Sequence, residues 1–178
     1  VQTCALPICG SANLSSAIAA NYSQSFSNTG TVLGITQANL TVAVANQTKV
    51  YGTDDPTVGS VNANLTGLKN VNVTSWNGNT TTLNDSAATA NFTSLARSAG
   101  EGVGSYNITG GSANLSAAIA ANYSQSFSNT GTVLAVTPAN LTVAVANQTK
   151  VYGTDDPTVG SVNANLTGLK NVNVTSWN

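Results

Sequence analysis

Leu40-Thr41-Val42-Ala43-Val44-Ala45 places its larger apolar side chains at every second position, so that Leu40, Val42 and Val44 share one face of an extended chain. A helix would keep Leu40 and Val44 on one face but turn Val42 to the opposite side. The segment therefore reads as a β-strand with one face buried. The same six residues return as Leu141 to Ala146. The return extends well beyond the strand: residues 11–77 align without a gap to residues 112–178, and 63 of 67 positions are identical. The exceptions are Ser16/Ala117, Gly34/Ala135, Ile35/Val136 and Gln37/Pro138. An offset of 101 residues is the size of a small domain, whereas solenoid units recur at roughly 20–50 residues. The frame predicts one complete repeat over residues 40–137, the C-terminal part of another over 10–39, and the N-terminal part of a third over 138–178.

Within the repeat the signals are those of strands and turns. Val71 and Val73 alternate with Asn72 and Thr74, and Asn77-Gly78 then predicts a two-residue type I′ hairpin leading into Thr80-Thr81-Thr82. Tyr106 and Ile108 share a strand face. Tyr123 and Phe127 flank a further strand, and Asn129-Thr130-Gly131 turns the chain into Thr132 to Val136. Leu115, Ala118, Ile119 and Tyr123 fall at helical spacing in an alanine-rich stretch, which predicts one or two turns of helix. The expected class is all-β, in tandem small β-rich domains that are sandwich-like or β-grasp-like, with at most one short helix per repeat. Val42, Val44, Tyr106, Ile108, Val133 and Val136 are the expected core. The link from Thr137 to Asn140 is short, and Pro138 stiffens it. The expected array is thus a semi-rigid rod, its rigidity coming from the link and not from docking between repeats.

Composition narrows the function. Charged residues are 6% of the chain and the net charge is -1, which gives no basis for nucleic acid or anionic membrane as partner. Asn, Ser and Thr together supply 68 of 178 residues, so uncharged polar groups carry the solvation. Hydrophobic residues at 41% are enough for a core, and no apolar run approaches the roughly 18 residues of a membrane span. The sequence has no His, and Asp85 and Glu101 stand apart from the Asp pairs. General acid–base or nucleophilic chemistry needs partners within hydrogen-bond reach. The expectation is a protein that is not an enzyme, with no catalytic residue and no cofactor.

Residues 1–8, Val-Gln-Thr-Cys-Ala-Leu-Pro-Ile, resemble the translation of a common short-read sequencing adapter. The repeat expects Gly at position 9, since Gly110 lies 101 positions on. An adapter base at the start of a glycine codon converts it to Cys9. On this reading Cys4 and Cys9 are foreign to the repeat, and this start is expected to pack against nothing.

Leu40 to Pro56, with Tyr51-Gly52-Thr53 and Asp54-Asp55-Pro56 inside it, resembles the opening of the MBG domain of YGX type. The likeness continues through Leu65-Thr66-Gly67-Leu68, Val103 to Ile108 and Asn122-Tyr123, and closes at Gly131 to Ala139. An enlarged middle, roughly residues 77–102, departs from the pattern. The resemblance implies a β-rich extracellular module, repeated in filamentous-haemagglutinin-like bacterial surface proteins. Its motif residues here are Tyr51, Gly52, Asp55 and Pro56, with Tyr152, Gly153, Asp156 and Pro157 in the next copy. It supplies no catalytic residue.

The remaining candidates for a site are few. Asp54 and Asp55, repeated as Asp155 and Asp156, are weak metal candidates, because calcium takes six to eight oxygens and a turn ending in Asp-Pro accounts for the pair. Tyr51 and Trp76 suit sugar stacking, but a core position fits an aromatic beside a strand better. Asn-x-Ser/Thr triplets, as at Asn46 and Asn107, arise by chance in such a composition. The function expected is a stalk within a large bacterial surface adhesin, with neighbouring repeats as its partners. The alternative is multivalent binding of a host glycan or matrix ligand by the repeats themselves.

Overall fold

The computed structural model describes residues 14–23, 25, 27 and 33–177, so Cys4, Cys9 and the whole adapter-like start lie outside the described residues. The chain divides into two units, Val1–Gln37 and Ala38–Asn178. The described part of the first carries helix α1 (Ser16–Ala19).

In the second unit, β1 (Ala38–Val44) buries Leu40, Val42 and Val44, following the period-two pattern. It sits at the centre of a three-stranded sheet. On one side it pairs antiparallel with β3 (Ala63–Thr66), Val42 opposite Leu65. On the other it pairs in parallel with β8 (Tyr123–Ser128), Val42 opposite Phe127. A four-stranded sheet runs in the order β2 (Gln47–Val50), β9 (Val133–Thr137), β7 (Gly104–Leu115), β6 (Ala90–Arg97). Its β2–β9 pair is parallel as well. Both N-terminal strands are therefore closed by strands from the C-terminal end of the repeat.

The core lies where the two sheets meet. Val42 and Val44 come from one, and Phe92, Leu95, Ile108 and Ala113 from the other, with Val61 joining them. The Phe92 and Phe127 rings meet edge to face, with centroids 6.0 Å apart, the arrangement favoured by the ring quadrupoles. A smaller cluster gathers Leu40, Ile119 and Tyr123. Ile119 belongs to helix α2 (Ala117–Ala120), which forms within the predicted helical stretch. Short 3₁₀ turns at Val58–Ser60 and Val159–Ser161 complete the helical content of the described residues. The class is all-β, as the alternating patterns predict.

Two local expectations are corrected. In β9 the buried residues are Leu134 and Val136, whereas Val133 is only half-buried. Tyr106 is likewise half-buried, its hydroxyl donating to the Gly102 carbonyl at 2.8 Å. The hairpin of β4 (Asn70–Thr74) and β5 (Thr80–Asn84) forms as predicted, but not on a type I′ turn. Gly78 has φ 83° while Asn77 does not have positive φ. The Gly78 N–H donates to the Ser75 carbonyl and the Ser75 N–H to the Asn79 carbonyl, each at 2.9 Å. This is the three-residue loop in which a left-handed residue follows a type I turn. Only glycine enters that last position without strain.

The second copy repeats the local pairing. β10 (Thr142–Val145) and β11 (Ala164–Thr167) pair Thr142 with Thr167 and Val143 with Leu166. That is the register of β1 with β3, displaced by one repeat.

Candidate functional site

Tyr51-Gly52 forms the turn after β2. The Thr53 N–H donates to the Val50 carbonyl at 3.1 Å, and Gly52 has φ 77°, close to the value of about +80° at the third residue of a type II turn. The turn delivers Asp55 into the interior. One carboxylate oxygen, Oδ1, lies 2.7 Å from Lys49 Nζ, and the other, Oδ2, lies 2.7 Å from Arg97 Nε. Arg97 Nη2 also reaches Oδ1 at 3.1 Å. Glu101 bridges the two cations, accepting from Lys49 Nζ at 2.5 Å and from Arg97 Nη2. The Arg97 guanidinium is completed by the carbonyls of Ser98 and Gly100 and lies over the Tyr106 ring, 5.3 Å from its centroid. The side chains of Lys49 and Asp55 are 2% exposed and that of Arg97 0%.

A buried charge is tolerated only when it is paired and hydrogen-bonded, and every member of this cluster is. Burial pushes the Asp55 carboxyl up, but hydrogen bonds from Arg97, Lys49 and the Trp177 N–H outweigh it and hold the group below its ordinary range. Burial lowers Lys49, and its bonds to Asp55 and Glu101 more than reverse that. Arg97 is raised by Asp55 in spite of burial. Two half-buried bonds tie the smaller core: Tyr123 Oη donates to Asp85 at 2.6 Å and accepts the Lys69 N–H at 2.7 Å. Burial and Asp85 raise the Tyr123 pKa.

The motif Asp therefore serves as an anion for two cations of its own repeat, which leaves it little capacity for a metal ion. Asp54 is exposed, and its Oδ1 accepts the Thr175 N–H at 2.6 Å. Asp155 is exposed, and Asp156, its side chain 82% exposed, pairs with Lys150 at 2.5 Å. Among the described residues no group of three or more His, Cys, Asp and Glu gathers as a metal site would require. The two aromatics are not in the core. Tyr51 is 41% exposed in its turn and Trp76 69% exposed at the hairpin tip. Arg97 and Glu101, the partners that give Asp55 its role, belong to the stretch that departs from the family pattern. Their only sequence signal was charge, in a chain with few charged residues.

A family model described as the MBG domain (YGX type) matches residues 40–133, more than half of the chain. The chain belongs to the MBG domain family of YGX type. MBG domains are non-catalytic repeat modules found in surface adhesin-like proteins. The match starts at Leu40, the first buried residue of β1, and ends at Val133, the first residue of β9, so it takes in the three-stranded sheet from Leu40 on, the strands β2, β6 and β7 and the charge cluster, but not the rest of β9. Comparison with curated proteins and with solved structures finds no match. No helix among the described residues of this MBG-domain chain is long and apolar enough to cross a membrane.

One contact set departs from the expectation of a rod held only by its link. Thr175 and Trp177, in the second copy, bond to Asp54, Asp55 and Pro56 of the first. The Trp177 ring packs against the larger core cluster. The copies dock.

Proposed function

We propose that the chain is a stalk segment of a large, secreted or surface-exposed bacterial adhesin, holding a binding region away from the cell. The observation that carries this reading is a family-matched domain followed, 101 residues on, by an identical copy of its own opening. Where adjacent copies are interchangeable, length is the property under selection. A surface solvated by Asn, Ser and Thr suits such a stalk, because neighbouring fibres then neither attract nor repel one another strongly. The location that follows is extracellular, at the cell surface, and the partners are neighbouring repeats.

The test is X-ray scattering from proteins of one, two and three complete repeats. A maximum dimension that grows linearly with copy number is the expected result. A compact profile at three copies would overturn the stalk. A second reading, multivalent binding of a host glycan or matrix ligand, has one observation in its favour: the exposed ring of Tyr51, of the kind that stacks on sugar rings. Compaction at three copies would move the weight to it.

A further inference from the structure

We propose that successive repeats are clipped head to tail: the outer edge of β4 and the tryptophan after it, in one repeat, seat on the rim from Gly52 to Pro56 of the repeat before. This goes beyond the stalk reading, since a clip of this kind would serve a ligand-binding array equally.

The offset of 101 makes Lys170, Thr175 and Trp177 the counterparts of Lys69, Thr74 and Trp76. The Thr175 N–H donates to Asp54 Oδ1 at 2.6 Å, and the Asp55 N–H donates to the Thr175 carbonyl at 2.9 Å. The Trp177 N–H donates to Asp55 Oδ2 and its indole Nε1–H to the Pro56 carbonyl, both at 2.9 Å. Beside these four bonds the Lys170 stem crosses Gly52. A Cβ built there would lie 2.7 Å from Lys170 Cγ. The motif glycine is thus required twice, for its positive φ and for the close approach of the next copy.

Both halves of the interface also occur unmatched in the same chain. The rim of the second copy is open, with nothing within 4 Å of a Cβ at Gly153 and with Asp155 and Asp156 exposed. Trp76, which no such rim precedes in this sequence, is 69% exposed, whereas Trp177 is half-buried. One sequence thus shows each surface both covered and bare.

The clip is compatible with the β4–β5 hairpin. The Asp85 N–H to Lys69 carbonyl bond and the Ser75 N–H to Asn79 carbonyl bond fix which cross-strand pairs are hydrogen-bonded. Because such pairs alternate, Thr74 opposite Thr80 is a non-hydrogen-bonded pair. Its main-chain N–H and C=O point away from β5. Those are the groups through which Thr175 binds the rim. The surfaces that meet are different patches of the same repeat, so the contact is heterologous and each repeat carries both halves of it.

The full chain carries two tryptophans, which makes the test direct. Trp76→Phe leaves Trp177 as reporter, and Trp177→Phe leaves Trp76. Acrylamide quenching several-fold weaker for Trp177, with bluer emission, is the expected result. Asp54→Ala removes the acceptor of the Thr175 N–H without touching the buried charge cluster, and should raise Trp177 quenching toward the Trp76 level. Equal quenching of the two single-tryptophan proteins would overturn the proposal. So would shielding of Trp177 that disappears when the chain is extended by one 101-residue repeat, because the segment would then seat on the rim only while its own hairpin is incomplete. Shielding retained in the extended chain supports a repeating clip, whatever its scattering profile.

Discussion

Asp55 shows how much one side chain of the family motif carries. Its carboxylate neutralises Lys49 and Arg97 inside the repeat while accepting the Trp177 N–H from the next copy. Lys49 and Lys150 occupy equivalent positions, yet the first pair is 2% exposed on both sides and the second 50% and 82%. Breaking a buried pair leaves an uncompensated charge and costs about 3–5 kcal/mol, whereas exposed pairs contribute little. Lys49→Ala should therefore lower unfolding stability by about 3 kcal/mol in denaturant titration, and Lys150→Ala should leave it unchanged. The cluster also sets the pH response. Asp55 is held below its ordinary 3.8, so its contribution is present above that value and is lost as pH falls through the folded-state pKa. Lys49 is held above its ordinary 10.5, so its contribution is present below that value and is lost as pH rises through the folded-state pKa. With no His in the chain, the melting temperature should be flat across roughly pH 5 to 9 and fall on either side. A transition near neutrality would contradict this account.

At the scale of the element, period-two patterns were decisive where strands are regular and silent where they are not. β1 followed its pattern residue for residue. β6 shows no such pattern, because its register shifts between Phe92 and Ser94, where β6 carries an extra residue. Such irregularities insert an extra residue and reset which side chains face inward. Phe92, Leu95 and Arg97 are therefore all buried at spacings that no alternating template matches, and the stretch read as an enlarged middle. The Asn77-Gly78 signal located the hairpin but not its geometry, since the same dipeptide serves a two-residue and a three-residue loop. Gly78 meets nothing within 4 Å, so Gly78→Ala tests conformation alone. It should destabilise the hairpin by about 1 kcal/mol through its positive φ, with the loss confined to amide exchange in β4 and β5. A loss of stability in the core strands would show that the hairpin is coupled to them.

At the scale of the whole molecule, parallel closure is the main organising fact. β8 and β9 lie beside β1 and β2 from some 85 residues away in sequence, so the repeat cannot complete its sheets until its C-terminal strands are present. The clip at Asp54 to Pro56 adds a link in the opposite sense, from the opening of one repeat to the middle of the next. A linear rise of the maximum scattering dimension with copy number remains the expected outcome for an array joined both ways.

The two copies separate what sequence determines from what tertiary structure decides. The β1–β3 pairing returns as β10–β11, Thr41 with Thr66 and Thr142 with Thr167, as do the glycine turn, with φ 77° at Gly52 and 85° at Gly153, and the 3₁₀ turn, whereas the counterparts of β2 and β4 form no strand. Backbone preference and short-range hydrogen bonding suffice for these, although only the β1 strand itself was read from the alternation in the sequence. Burial was not. Val42 and Val44 are 2% and 3% exposed beneath the second sheet, while Val143 and Val145, identical in sequence context, are 60% and 65% exposed. The difference lies in β6, β7 and β8, which cover the first pair and have no counterpart over the second among the described residues. Which valine is core, which lysine is paired and which tryptophan is seated depend on distant chain arriving to exclude water. A local pattern can propose that outcome but cannot decide it.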